Sequence, residues 1–188
     1  MLEAALGEFL QHGYGGASMT RIVHAAGVSK TTLYSRYPSK EELFRAIVSA
    51  QIERLSPSAS LRSDSGPLAL EQGLVSYANH MLKLSLQGDL LGVDRLIYSE
   101  SCQFPELGAA AAERTELGIR RISGFIRECA VSDGIPCRDP KAIAEAFIFM
   151  IRGWYVNVML SNRKVSSAQR ENWVKRAVHS LLAARSDW

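Results

Sequence analysis

The fold is decided by residues 19–37, which read MTRIVHAAGVSKTTLYSRY. Two short helical segments meet in this stretch through the turn Ala26-Gly27-Val28-Ser29. Glycine accepts the left-handed backbone that a tight turn between helices requires, and serine is a preferred residue at a helix N-cap. Val28 is placed to fill the angle between the two helices. The stretch therefore predicts a helix-turn-helix unit.

The second helix of this unit carries a polar, basic face. With Ile22 and Leu33 directed inward, the residues left to point away from the core are Lys30, Thr31, Thr32, Tyr34, Ser35 and Arg36. A helix face of this kind suits the major groove of DNA. The helix starts at Ser18 and Ser29 also present free N–H groups to phosphate oxygens. We therefore predict that this unit binds double-stranded DNA.

The charges of the chain are unevenly distributed. The 188 residues carry 19 acids and a formal net charge of +3, and 47% of them are hydrophobic. No acid falls between Phe9 and Lys40, where Arg21, Lys30 and Arg36 lie. Such a local excess of positive charge fits a polyanion, and its plain alternative is a solvated surface. Arg21 itself is expected to be solvated, with at most a phosphate contact.

Helical periodicity recurs along the rest of the chain, and strand alternation is absent. Apolar residues at three- and four-residue spacing predict a first helix that glycines end at 13–16, and Ser39-Lys40-Glu41-Glu42 is a capping box that opens a fourth helix. Later helices are predicted over 67–87, 90–103, 105–129, 140–160 and 166–184. The expected fold is all-α, with a helix-turn-helix domain and linking fourth helix at 1–55, a polar connector at 56–67, and a helical domain at 68–188.

Several classes of protein are excluded by the sequence. Metal-ligand clusters, phosphate-binding loops and nucleophile motifs are absent, so we expect neither an enzyme nor a metal or cofactor site. Cys102, Cys129 and Cys137 form no C-x-x-C pair, and no signal segment opens the sequence, so a cytoplasmic location is expected. The apolar stretch 142–160 contains Glu145, Arg152 and Asn157, which favours a buried bundle helix over a membrane span.

Two quoted stretches resemble a known family. Residues 25–34, AAGVSKTTLY, followed by residues 37–43, YPSKEEL, are similar to the signature of tetracycline-repressor-type (TetR) regulators. Residues 2–16, which contain Phe9, Gly13 and Tyr14, resemble the first helix of that family. The resemblance covers residues 2–55. It implies a homodimer whose first three helices bind an operator, whose fourth helix links them to a variable ligand-binding domain, and whose last two helices form the dimer interface.

The resemblance also implies roles for individual residues. Thr31, Thr32, Tyr34, Ser35 and Arg36 would face bases or phosphates, and Ser18, Thr20 and Lys40 would hold phosphates. Three positions depart from the family pattern: Thr31 stands where glycine is usual, Arg36 where histidine or tyrosine is common, and Val23 where alanine is usual. Arg36 becomes the candidate for contacting a guanine. Tyr37 is expected to pack in the core and Tyr34 to be exposed.

The second domain resembles a subgroup of the family over Tyr98-Ser99-Glu100 and Phe104-Pro105-Glu106-Leu107. The resemblance places an effector pocket among the helices of residues 68–160. The candidate walls are Tyr98, Cys102, Phe104, Phe125, Phe147, Met150 and Trp154, each of which could instead be a plain core residue. Arg152 is expected to pair with Glu145, seven residues away, or to hold an anionic ligand.

The predicted function is a ligand-responsive, homodimeric repressor. A small-molecule effector of unknown identity would release it from a pseudo-palindromic operator with half-sites about one helical turn apart. The predicted partners are therefore operator DNA, the effector and a second copy of the chain, without a membrane. The alternative is a thiol-based redox-sensing regulator that uses Cys102, Cys129 or Cys137.

Overall fold

The computed structural model describes residues 1–54, 61–63, 66–134, 137–183 and 185. Within these ranges the chain forms nine helices and one short pair of strands. In chain order they are α1 (Leu2–Gly16), α2 (Met19–Ala26), α3 (Lys30–Arg36), α4 (Lys40–Arg54), β1 (Arg62–Ser63), β2 (Gly66–Pro67), α5 (Leu70–Ser85), α6 (Gly88–Glu100), α7 (Pro105–Asp133), α8 (Pro140–Leu160) and α9 (Ser167–Leu182). The predicted all-α fold is confirmed.

The helix predicted from Pro67 begins later than expected. Pro67 pairs with Arg62 across the antiparallel strands β1 and β2, and the Leu68 N–H donates to the Leu61 carbonyl at 3.0 Å. This pairing keeps the backbone extended, so α5 begins only at Leu70. Of the predicted polar connector at 56–67, residues 56–60, 64 and 65 lie outside the described residues.

Helix caps predicted from single residues are confirmed. The Asp139 carboxylate accepts from the Ala142 N–H at 3.0 Å, and Pro140 follows it in the first turn of α8. At α9 the Ser166 Oγ accepts from the Gln169 N–H at 3.2 Å, while the Gln169 Oε1 accepts from the Ser166 N–H at 2.9 Å. These caps satisfy N–H groups that have no partner within the helix.

The first of two compact units contains Met1–Arg54 together with Gly88–Arg114. An aromatic cluster forms part of its core: Tyr14 lies 5.5 Å from Phe44 and 5.0 Å from Phe104, measured between ring centroids. Phe9 completes the cluster at 5.6 Å from Tyr14. The unit that carries the helix-turn-helix thus includes α6 and the start of α7, which the sequence alone did not predict.

The second compact unit contains Leu55–Gln87 together with Thr115–Trp188. Leu74, Phe147 and Val174, from α5, α8 and α9, have no exposed surface in its core. Gly73 allows the Phe125 ring to approach α5, because a Cβ atom there would overlap the ring. A single hydrophobic core thus joins these helices.

Helix α8 is the one helix of the described residues that is long and apolar enough to cross a membrane. Buried core helices of soluble proteins meet the same criteria, and α8 buries Phe147, Ile151 and Tyr155 within the second unit. Glu145 pairs with Lys141 at 3.7 Å, one turn earlier, which corrects the expected pairing with Arg152.

Candidate nucleic-acid interface

The turn between α2 and α3 has the predicted geometry. Gly27 adopts φ 64° and ψ 31°, the left-handed conformation, and its N–H donates to the His24 carbonyl at 3.2 Å. The Ser29 Oγ accepts from the Thr32 N–H at 3.0 Å and so caps α3. Val23 is buried and accepts from the Val28 N–H at 3.3 Å. The valine at this crossing position is therefore compatible with the motif.

Helix α3 is fixed by one fully buried side chain and exposes the rest. Leu33 has no exposed surface, whereas the exposed residues of the helix are Lys30, Thr31, Thr32, Tyr34, Ser35 and Arg36. Tyr34 is 45% exposed, and Tyr37 is half-buried against the core, as predicted for both. The Arg36 guanidinium lies 5.9 Å from the centre of the Tyr37 ring. The face carries two cations and three hydroxyl-bearing residues besides Tyr34, all accessible to a ligand.

Two of the hydroxyls already have partners in α3 or at its N-cap. The Thr32 Oγ1 lies 2.8 Å from the Ser29 Oγ, and the Ser35 Oγ donates to the Thr32 carbonyl at 3.1 Å. In α2, Thr20 is exposed, while half-buried Ser18 caps the helix by accepting from the Arg21 N–H at 3.4 Å. The helix cap at Ser18 confirms the sequence prediction. Phosphate contacts by Ser18 and Thr20 stay a prediction.

Arg21 is not a free solvated residue. Its guanidinium binds the Glu8 carboxylate, with an Nη2–Oε1 distance of 2.6 Å, and donates to the Gly16 carbonyl at 2.6 Å. Glu8 also accepts from the Ser18 N–H at 2.9 Å. The hydrogen bond from Arg21 lowers the pKa of the Glu8 carboxyl, and burial opposes it more weakly. Arg21 is exposed, as expected for a solvated residue, and the ion pair with Glu8 was not predicted because Glu8 lies outside the acid-free stretch but folds back onto it.

Lys40 lies against the end of α1. Its ammonium donates to the carbonyls of Tyr14 at 2.7 Å and Gly15 at 3.2 Å, with Ala17 at 3.5 Å. The ammonium also lies 4.8 Å from the centre of the Tyr14 ring. The residue therefore stabilises carbonyls that a helix end leaves without partners. The predicted phosphate contact of Lys40 stays a prediction.

Glu100, at the end of α6, was missed by the sequence analysis. Its carboxylate accepts from the N–H groups of Tyr14 and Gly15, each at 3.1 Å. These N–H groups are available because Gly13, at φ 71° and ψ 171°, interrupts the regular backbone of α1. A Cβ atom at Gly13 would lie 2.6 Å from the Glu100 Oε1. The glycines at 13, 15 and 16 indicated a break in the first helix. They could not indicate Glu100, which lies 86 residues from Tyr14 in the sequence.

The seven predicted pocket residues are divided between the two units. Tyr98, Cys102 and Phe104 belong to the first unit, and Phe125, Phe147, Met150 and Trp154 to the second. Tyr98 and Cys102 are exposed, and Phe104 packs on the Tyr14 ring. A cavity of about 320 Å³ in the second unit is lined by Trp154 and by none of the other six. In this unit the Trp154 ring stacks on Trp173 at 4.7 Å.

This arrangement of helices defines a class, namely regulatory proteins that join a helix-turn-helix to a helical bundle. Residues 1–47 match the family model of bacterial regulatory proteins of the tetR family. Residues 72–185 match the model of the C-terminal domain of AefR-like transcriptional repressors. The chain belongs to the TetR family of transcriptional regulators, and the resemblance seen in the sequence is confirmed.

Curated relatives are named as regulators of transcription. The chain is 37% identical to the regulator RutR of Escherichia coli K12 over 101 residues, 53% of this chain and 45% of RutR. It therefore spans about half the length of this relative. The repressor SCO4008 of Streptomyces coelicolor is 29% identical over 147 residues, 74% of this chain and 69% of that protein. The family and these relatives are regulators, not enzymes.

A solved structure matches nearly the whole chain. The flavonoid-responsive regulator FrrA superposes with a TM-score of 0.78 at 30% identity, over 97% of this chain and 93% of that one. The match extends through both compact units.

Proposed function

We propose that the protein is a homodimeric repressor that binds a pseudo-palindromic operator and leaves it when a small molecule binds. The observation that best supports DNA binding is the exposed polar and basic face of α3, a helix that buried Leu33 fixes in place. Residues 10–39 contain no acid, so no carboxylate of this segment repels a phosphate backbone. Family membership and the names of the relatives support the same activity.

Within that function each exposed residue has a proposed role. Arg36, in the last turn of α3, reads a guanine through the two donors of its guanidinium, while Thr31 and Tyr34 contact neighbouring bases or phosphates. Lys30, Thr32 and Ser35 border the same face. Ser18, Thr20 and Lys40 lie at helix starts and hold phosphates.

An exposed apolar stripe on α8 supports dimerisation. Ala146, Phe149, Gly153 and Leu160 are exposed at helical spacing, with Asn157 as the polar residue of the stripe, and Phe149 and Leu160 are 57% and 67% exposed. Small residues beside a large one allow two helices to approach closely. We infer that this stripe, with α9, meets its copy in a twofold four-helix interface. The twofold axis then requires half-sites about 34–36 Å apart.

The ligand response is proposed from the relatives and the fold. FrrA, which matches nearly the whole chain, is named flavonoid-responsive. A ligand bound among the helices of the second unit would favour one orientation of α4 over another and change the spacing of the two α3 helices. Flavonoids are therefore the first compounds to try as effectors.

The test starts from DNA selected by the protein out of a random-sequence library. Affinity for the selected duplex and for a random duplex of equal length is measured by fluorescence anisotropy near physiological salt. We expect a preference of about a thousandfold or more for the selected duplex. Arg36→Ala should lose about tenfold to 150-fold of the affinity for the selected duplex. Arg120→Ala, an exposed arginine of the second unit, is the matched control.

The outcomes separate the two parts of the proposal. Failure to enrich any sequence, or equal affinity for both duplexes, would refute the sequence-specific repressor. Release of the selected duplex by a flavonoid would support the ligand response. Unchanged affinity across a broad panel of small molecules that demonstrably bind the protein would refute it.

The alternative, a thiol-based redox sensor, has weaker support. Cys102 is exposed, whereas Cys129 is buried and its Sγ lies 3.6 Å from the Leu68 carbonyl. Burial raises the pKa of the Cys129 thiol, so less of the reactive thiolate is present at neutral pH. Loss of operator binding in peroxide, abolished when all three cysteines are replaced by serine, would revive the alternative.

A further inference from the structure

The cavity of about 320 Å³ in the second unit lies where the turn between α8 and α9 meets both helices. Its wall includes Trp154, Arg163, Lys164, Gln169, Trp173 and Arg176. The Trp154 and Trp173 rings are stacked with centroids 4.7 Å apart and planes 16° apart. Both indoles are half-buried, so each keeps apolar surface open to a ligand. The volume is sufficient for a small organic molecule.

The charge around this cavity is strongly one-sided. Arg163, Lys164 and Arg176 line it, and no carboxylate does so among the described residues. Residues 163–176 contain five lysines and arginines and one acid, Glu171, whereas the net charge of the whole chain is only +3. The carboxylate of Glu171 lies 3.4 Å from Arg170, which is not part of the wall. Neighbouring cations repel each other, and a bound anion would relieve that repulsion.

The first turn of α9 adds hydrogen-bond donors to the same wall. The Gln169 Oε1 is occupied by the Ser166 N–H at 2.9 Å, so the side-chain NH2 of Gln169 remains as the donor. The positive end of the α9 helix dipole lies at the same place, because the helix begins at Ser167. Cations, an amide donor and a helix start all favour an anion here, and the stacked indoles favour an aromatic ring.

We propose that this cavity is a binding site for a small organic anion that carries an aromatic ring, such as an aromatic carboxylate. The carboxylate lies among Arg163, Lys164 and Arg176, and the ring packs on the indole surface of Trp154 and Trp173. Binding does not depend on the proposed function of the protein. Only its consequence for DNA affinity rests on the proposed ligand response.

The test compares benzoate with benzamide, which has nearly the same shape but no charge. The titrated protein is the 188-residue chain with the substitution Trp188→Phe, so that Trp154 and Trp173 are the only tryptophans left of its three. Their indole N–H signals are followed by NMR during each titration. We expect saturable shifts with benzoate at millimolar concentrations or below, and binding of benzamide about tenfold weaker or more.

Charge variants locate the site. Arg176→Gln should weaken benzoate binding about threefold to tenfold, because one interaction with the carboxylate is lost. Lys175→Gln removes the same charge from the next residue of α9, outside the wall, and should change binding less than about twofold. Thermal unfolding of both variants establishes that each is folded.

Three results would overturn the proposal. These are equal binding of benzoate and benzamide, equal effects of Arg176→Gln and Lys175→Gln, and inorganic phosphate binding as tightly as benzoate. If benzoate binds as expected but leaves the affinity for the selected duplex unchanged, the site stands and the ligand response at this site fails. If neither duplex is preferred, the proposed repressor fails whatever benzoate does.

Discussion

Glu100 and Lys40 bind opposite edges of the same turn of backbone. The Glu100 carboxylate accepts from the N–H groups of Tyr14 and Gly15 at 3.1 Å, while the Lys40 ammonium donates to the carbonyls of the same two residues at 2.7 and 3.2 Å. Residues 14–17 lead directly into Ser18, the cap of α2. The position of the helix-turn-helix is therefore set by side chains of α6 and α4 as well as by its own turn.

Replacement of Glu100 by alanine should destabilise the protein and loosen this turn. Because the N–H groups of Tyr14 and Gly15 lose a charged acceptor, we expect the free energy of unfolding in urea to fall by about 1–3 kcal/mol. Hydrogen exchange of these two amides should accelerate more than that of α9 amides. Asp89→Asn removes an exposed acid of the same helix and should cost less than about 1 kcal/mol. Unchanged exchange at both amides in Glu100→Ala would contradict the assigned contact.

Lys40 should contribute to stability without DNA. Lys40→Met keeps most of the side-chain stem but removes the donor to the carbonyls of Tyr14 and Gly15, so we expect a loss of about 1–2 kcal/mol in urea unfolding. Lys30→Met, on the exposed face of α3, is the control and should change stability by less than about 0.5 kcal/mol. Equal stability of the two variants would leave phosphate contact as the only role for Lys40.

The Glu8–Arg21 contact should make stability depend on pH. Because the hydrogen bond from Arg21 lowers the pKa of Glu8 in the folded protein, its stabilisation is complete above the ordinary glutamate pKa of about 4.3. It is lost as the pH falls below that value, through the lower folded-state pKa. At pH 7, Glu8→Gln should lower the free energy of unfolding by about 1–3 kcal/mol.

Urea titrations of wild type and Glu8→Gln from pH 7 to about pH 3 test the predicted direction of this pH dependence. The difference between the two curves should shrink as the pH falls. Glu116→Gln breaks an exposed ion pair with Arg120 and should differ from wild type by less than about 1 kcal/mol across the range. If the free energy of unfolding of wild type exceeded that of Glu8→Gln by more at low pH than at pH 7, a lowered pKa for Glu8 would be excluded.

Phe149 should be a main contact of the proposed dimer. Phe149→Glu places a charge in the apolar stripe of α8, so we expect the dissociation constant of the dimer to rise at least about thirtyfold. Analytical ultracentrifugation over a range of protein concentrations measures it. Val131→Glu introduces the same charge at an 80% exposed position of α7 and should leave the dimer intact. Equal sedimentation of the two variants would show that the dimer interface does not include Phe149 of α8.

Local features of this fold could be predicted from the sequence because their causes lie within a few residues. The serine caps at 18, 29 and 166, the left-handed Gly27 and the Asp139-Pro140 start of α8 were all predicted and are confirmed. Pro67 was misassigned because a proline at a helix start and one within a short strand look alike locally. Only the pairing with Arg62 distinguishes them.

Contacts of the candidate site that join distant residues could not be predicted. The composition of α3 was sufficient to show which side chains are exposed. The partners of Gly15 and Lys40 depend on how α6 and α4 pack, and Glu100 is 85 residues from Gly15. The ion pair of exposed Arg21 was not predicted for the same reason, since its partner Glu8 lies 13 residues earlier on another helix.

The composition of the first unit limits how this regulator can be engineered. A chimaera that transplants residues 1–54 alone onto a foreign bundle would leave behind residues 88–114, the second segment of the same compact unit. It would lose Glu100 and also the buried ion pair of Asp94 with Arg114. A graft that keeps the DNA preference of this chain has to carry both segments, so its junctions belong near residues 54, 88 and 114 rather than in the connector alone.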